Sequence, residues 1–135
     1  MSYTLSTTVD QPFDDTVTAV RSALSEQGFG VLTEIDLSAT LEEKLGARIA
    51  AQVILGACMP PLALAAIEAE PSIGVLLPCN VVVRSVDGQD GTVVEAMDPS
   101  IMVTMTGNDA LREVAADAHA RLTGALAALG GSAPA

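Results

Sequence analysis

The residues best suited to chemistry are two cysteines set against prolines, in Gly56-Ala57-Cys58-Met59-Pro60-Pro61 and Leu77-Pro78-Cys79-Asn80. A deprotonated thiol is a nucleophile and a ligand for soft metals. Proline stops strand pairing and suits the first turn of a helix, so each thiol falls at an element boundary, where backbone N–H groups lack partners. Cys58 stands just ahead of an expected helix start, whose partial positive charge favours thiolate. The competing role is packing, because free cysteine behaves as a small buried hydrophobe and the flanking segments are strongly apolar. Twenty-one positions separate the two sulfurs, so a local Cys-x-x-Cys couple is absent. A dithiol formed across two neighbouring strands remains open.

Two polar residues complete the candidate site. Asn80 follows Cys79 directly, and Glu95 interrupts the apolar run Val93-Val94-Glu95-Ala96-Met97 on the hairpin partner of the strand that carries Asn80. A carboxylate there could face a cleft with a raised pKa, against the plainer reading of an outward strand position. Cys58, Cys79, Asn80 and Glu95 are thus the ligand-binding candidates. Glu34, Asp36, Glu42, Glu43, Glu68, Glu70 and Asp98 read as solvated faces. His119 suits a solvated or capping role on the last helix. Two cysteines and one histidine fall short of the roughly four N or S ligands of a closed zinc site, so no metal ligands are assigned, and the cofactor is left open. No phosphate loop, dinucleotide fingerprint or Gly-x-Ser-x-Gly elbow is present, and no catalytic constellation emerges.

The elements that must position these residues follow from periodicity. Tyr3 to Val9 alternates as a first strand. Asp10-Gln11-Pro12 supplies a cap and an early proline for a helix with Phe13, Val17, Val20 and Leu24 on one face, running to about Gln27 and closed by Gly28. Val31 to Ile35 reads as a second strand. Asp36 to Gly46 fits a short helix with Leu41 and Leu45 turned inward, and Ala47 to Ala57 reads as a third strand. Leu62 to Ala69 forms a small, mostly buried helix after the double proline. Ile73 to Val86 is a β-branched run interrupted by Pro78-Cys79-Asn80, which implies burial on both faces or a bulge there that switches faces. Asp87 to Gly91 turns into the partner strand Thr92 to Met97. Ile101 to Met105 is ambiguous between a helical turn and a short strand. Asn108 caps a long final helix bearing Leu111, Val114, Ala115, Ala118, Leu122 and Leu129 on one face. This order predicts an α+β fold, an antiparallel sheet of about five strands with two longer helices on one face.

Composition narrows the function. At 135 residues the chain makes about one domain, expected over residues 1–130, with 131–135 a frayed tail. Half the residues are hydrophobic, enough for a core, and with 2% aromatic residues that core must be aliphatic. The net charge of −11 repels nucleic-acid phosphates and anionic lipid, so neither is expected as a partner. The longest apolar run, Val53 to Ile67, is too short to span a bilayer and is broken by Pro60 and Pro61. The N-terminal residues lack the pattern of an export signal, so a cytoplasmic protein with reduced thiols is expected.

The segments Val53-Ile-Leu-Gly-Ala-Cys-Met-Pro-Pro-Leu-Ala, Pro71-Ser-Ile-Gly-Val-Leu-Leu-Pro-Cys-Asn-Val-Val-Val and Val94-Glu-Ala-Met-Asp-Pro resemble the domain-of-unknown-function 302 family. Its pattern reads Gly-Ala-Cys-Asn-Pro, then Leu-Leu-Pro-Cys-Asn-Val-Val, then a strand ending in Asp-Pro; Met59 departs from it. The resemblance implies a TATA-binding-protein-like β-α-β(4)-α order, commonly paired as a homodimer, with motif positions Gly56, Ala57, Cys58, Pro60, Pro78, Cys79, Asn80 and Pro99 and no catalytic role attached to them. The expected function is a small soluble binding or interaction module, homodimeric, with a ligand or soft-metal pocket where the Cys58 loop meets Pro78-Cys79-Asn80. The alternative is thiol chemistry, a redox or sulfur-carrier protein using Cys58 and Cys79.

Overall fold

Alternation along Thr4–Val9 makes β1, which buries Thr7 and Val9. The computed structural model describes residues 2–131. Next comes α1 (Phe13–Glu26), with Thr16, Val20, Ala23 and Leu24 buried. The expected Asp10 cap does not form. Pro12 takes the capping position without a side-chain bond, and its carbonyl accepts from both the backbone N–H and the hydroxyl of Thr16, the latter at 2.8 Å. Gly28, at φ +93°, turns the chain out of the helix in the left-handed region that suits glycine.

β2 (Gly30–Asp36) leads into α2 (Leu37–Leu45). Asp36 caps α2 by accepting from the Ala39 N–H at 2.9 Å, and that bond, helped by the Ser38 hydroxyl, holds its carboxyl below the ordinary aspartate value. Leu41 and Leu45 do not turn inward as expected. α2 buries no residue and Leu45 is 74% exposed, because this helix follows an edge strand and meets the sheet chiefly at β3 (Gln52–Cys58). That strand begins at Gln52 rather than Ala47, after a loop.

α3 (Pro60–Ala69) starts on the double proline. It is not mostly buried: only Ala66 is enclosed while Leu64 and Ile67 are exposed, since α3 packs beside α5 (Arg112–Ala128) and the segment Pro71–Leu76 rather than under the sheet. Ile73–Leu76, expected as the start of a strand, belongs instead to a 3₁₀ helix, Pro71–Leu76. Its proline opens a helical turn, and Ile73 and Leu77 donate to Glu70 and Gly74 three residues back. β4 (Cys79–Ser85) therefore starts at the cysteine. β5 (Thr92–Met97) completes the hairpin, α4 (Ser100–Thr106) settles the ambiguous segment as helix, and the Asn108 side chain caps a 3₁₀ turn at Ala110 N–H that runs into α5.

The sheet order is β1-β5-β4-β3-β2 with every neighbouring pair antiparallel. The fold is α+β, a five-stranded antiparallel sheet with helices between its strands. The one register irregularity lies in β2, between Val31 and Thr33, not at Pro78-Cys79-Asn80. Leu55, Ala57, Val81, Val83, Val94 and Ala96 share one sheet face and are buried with Val20, Leu24, Leu122 and Ala125 of α1 and α5. A second cluster, Ala66, Ile73, Met102, Leu111 and Ala115, sits among α3, α4 and the start of α5. Of the expected tail, residues 132–135 lie outside the described residues; Gly131 packs on β1, where an added Cβ would lie 2.6 Å from the Thr7 hydroxyl.

Gly56 shows how tightly the far sheet face is built. A Cβ there would collide with Thr33 Oγ1 of β2 and lie 2.9 Å from Pro78 Cγ. Gly56→Ala should therefore lower stability by about 1–3 kcal/mol, as overpacking does. Urea unfolding checks this, and an unchanged midpoint contradicts it.

Candidate functional site

The two core clusters do not merge. Between them lies a cavity of about 330 Å³, at the lower end of the range usual for small-molecule sites. The sheet contributes Leu32, Ala57, Cys58 and Cys79, the residue before β2 contributes Phe29, and α3 contributes Leu62, Ala63, Ala66 and Ile67. Met59, Leu77, Pro78, Met102, Val114 and Ala118 close the remaining walls. No side chain in this lining carries oxygen or nitrogen. Leu32 and Ile67, both exposed, mark the mouth. Protein interiors ordinarily pack without voids of this size, because unfilled space forfeits dispersion contacts on every wall.

The β3–β4 register places Ala57 opposite Cys79, which sets Cys58 one position beyond that pair as the chain leaves the sheet for α3. Both thiols consequently line the same cavity, and neither is in a disulfide. Cys79 is buried and Cys58 half-buried. Burial, and then the neighbouring Cys58, pushes the Cys79 thiol above its ordinary value, so it remains neutral at physiological pH. The α3 start offers no spare donor to an anion. Pro60 and Pro61 have no N–H, and the N–H groups of Leu62 and Ala63 both donate to the Met59 carbonyl at 3.0 Å.

The other two sequence candidates lie elsewhere. Asn80 is exposed on the opposite sheet face, paired with Gly56 across β3 and β4, because side chains alternate and Cys79 takes the inward position. Glu95 is on that same far face, opposite Val82. It accepts from Arg84 Nε at 2.7 Å and from the Ser6 hydroxyl at 3.4 Å, so it forms a cross-strand ion pair and not a cleft acid. The structure brings Cys58 and Cys79 together and leaves Asn80 and Glu95 outside. His119 is exposed on α5. Among the described residues no three His, Cys, Asp or Glu side chains cluster as metal ligands, and no helix is long and apolar enough to cross a membrane.

Sequence reasoning missed Phe29, Leu77 and Met102 as site residues. Met102 lay in the segment of ambiguous periodicity, and nothing local marks Phe29. Met59 was visible only as a thioether where the motif has a polar residue.

An α+β domain with an apolar, sulfur-bearing cavity at the end of its sheet is the class this geometry defines. The family described as Domain of unknown function DUF302 matches residues 5–129, and the chain belongs to that family. The fold is similar to the crystal structure of an uncharacterized conserved DUF302 protein from Bacillus stearothermophilus, at 29% identity and a TM-score of 0.87, covering 95% of this chain and 98% of that one. No curated protein matches the sequence.

The raised Cys79 value has a consequence for stability. The unfolded chain releases the thiol proton at lower pH than the folded one, so the contribution is full below the free-thiol value, about 8.5, and is lost as pH rises toward the folded value. Stability should fall more steeply above that pH in the native protein than in Cys79→Ala. Denaturant melts at a series of alkaline pH values measure this, and parallel slopes contradict it.

Proposed function

We propose that this domain is a ligand-binding module whose site is the cavity between the sheet end and α3, taking a small apolar molecule. The observation that carries the reading is a built space of about 330 Å³ whose named walls bear hydrocarbon and sulfur alone. An apolar occupant restores the dispersion contacts those walls lack, and its removal from water supplies the driving force. Met59 and Met102 support the same reading, since unbranched thioethers adapt to occupants of different shape. Thiol redox or sulfur-carrier chemistry has less support: Cys79 is held neutral, and the helix start beside Cys58 has no donor left over for a thiolate. The −11 charge speaks against nucleic acid and anionic membrane as partners, and reduced thiols fit work in the cytoplasm.

A small apolar probe such as indole should raise the melting temperature of the native protein in a concentration-dependent way. In Ala63→Leu, where the larger side chain fills the cavity from α3, the probe should have no effect while the unliganded protein stays folded. An identical response of both proteins, or none in either, overturns the reading.

We further propose that the working unit is a homodimer joined through the sheet face away from α1 and α5. The row Ile35, Ile54 and Val82 gives that face an apolar centre beside the Arg84–Glu95 pair, and no residue of the row is buried within one copy. Sedimentation at micromolar concentration should give twice the 13.7 kDa chain mass, and Val82→Glu should give the chain mass. A native protein that sediments as one chain contradicts the dimer.

A further inference from the structure

Sulfur is concentrated in this cavity. The whole chain has two cysteines and five methionines, and four of those seven sulfur atoms belong to the cavity lining, in Cys58, Met59, Cys79 and Met102. With no oxygen or nitrogen on the lining side chains, the cavity's side chains can offer a bound group only soft donors. Hard cations such as magnesium and calcium call for oxygen ligands, and a closed zinc site calls for about four nitrogen or charged sulfur ligands, whereas thiolate and thioether together select Cu(I).

We propose that Cys58, Cys79, Met59 and Met102 form a binding site for a single Cu(I) ion. Three further features support it. Cys58 follows Ala57, the register partner of Cys79, and both thiols belong to the lining of the one cavity. Met59 follows Cys58 directly, and its terminal methyl lies over Gly28, where an added Cβ would sit 3.3 Å away, so the position opposite Met59 suits a residue without a side chain. The lining side chains carry no oxygen, so they offer none of the ligands that an oxidised copper ion prefers. Binding replaces the S–H bonds of Cys58 and Cys79 by S–Cu bonds, releases both protons to solvent, and transfers no electron. The two thioethers donate as neutral ligands. The cation also cancels part of the repulsion that keeps two adjacent thiolates from forming in an apolar cavity.

The inference does not depend on an organic occupant, because its readout is metal transfer and not probe binding. The reduced full-length protein should take Cu(I) from a chromophoric chelator under anaerobic conditions, to one equivalent, with a thiolate-to-copper band in the ultraviolet and two protons released per ion. Cys58→Ser should weaken binding at least about 100-fold. Met59→Leu and Met102→Leu, which keep volume and apolarity but remove a neutral sulfur ligand, should each weaken it about 10-fold while the far-ultraviolet circular dichroism stays native. Zinc should not compete. Failure of the reduced native protein to draw copper from the chelator overturns the proposal, as does binding that is unchanged in Cys58→Ser or in both methionine variants.

Discussion

The pairing of β3 with β4 is the constraint on which the rest of the molecule depends. These antiparallel neighbours lie near the middle of the sheet, and their register sets Leu55 against Val81, Val53 against Val83 and Ala57 against Cys79. A shift of one residue would turn the buried side chains of the strand that moves, Leu55 on β3 or Val81 and Val83 on β4, to the far face. The register is also locked from the other side, where Gly56 leaves room for Thr33 and Pro78 to cross above it. Glycine and proline in the two cysteine segments therefore have a mechanical role. They let three strands close up at the end of the sheet where the thiols lie.

From that point the chain cannot bury everything in one core. α1 and α5 cover the sheet, but α3, the 3₁₀ segment Pro71–Leu76 and α4 gather round the first part of α5 as a separate apolar cluster. Ala63, Ala66 and Ala118 are small side chains on the helices that meet there, and larger residues at those positions would fill the gap. The cavity is the space left between two well-packed groups, with the strand ends supplying its thiols. A neutral thiol, thioethers and hydrocarbon make a surface that discriminates by shape and softness instead of by hydrogen bonds.

Much of the fold was legible in the residues. The strand alternation of Thr4–Val9, the short helix closed by Gly46, the hairpin around 86–91 and the Asn108 cap all appear where their chemistry placed them, because each is a local signal. What failed was decided by tertiary context. Leu45, Leu64 and Ile67 have the spacing of inward residues but lie on helices with no second layer above them. Ile73 is β-branched, yet Pro71 and the helical cluster around it impose a 3₁₀ turn. For the site, the proline-cysteine segments were readable and the meeting of Cys58 with Cys79 followed from them. The outward position of Glu95 was the plainer reading of its strand, but the parity that turns Asn80 to the opposite face was not readable, because it depends on whether the irregularity falls at Pro78-Cys79-Asn80 or, as it does, between Val31 and Thr33.

The central claim is that the cavity receives a ligand between the sheet end and α3, and the methionine methyl groups report on it directly. Met59 and Met102 line the cavity, whereas Met97 is on the far sheet face and Met105 is 70% exposed on α4. In a protein carrying carbon-13 methionine methyls, titration with a small apolar compound should shift the Met59 and Met102 resonances together and saturably, with Met97 and Met105 unmoved. Resonances of Met59 and Met102 that stay fixed while the exposed methyls shift would contradict the account.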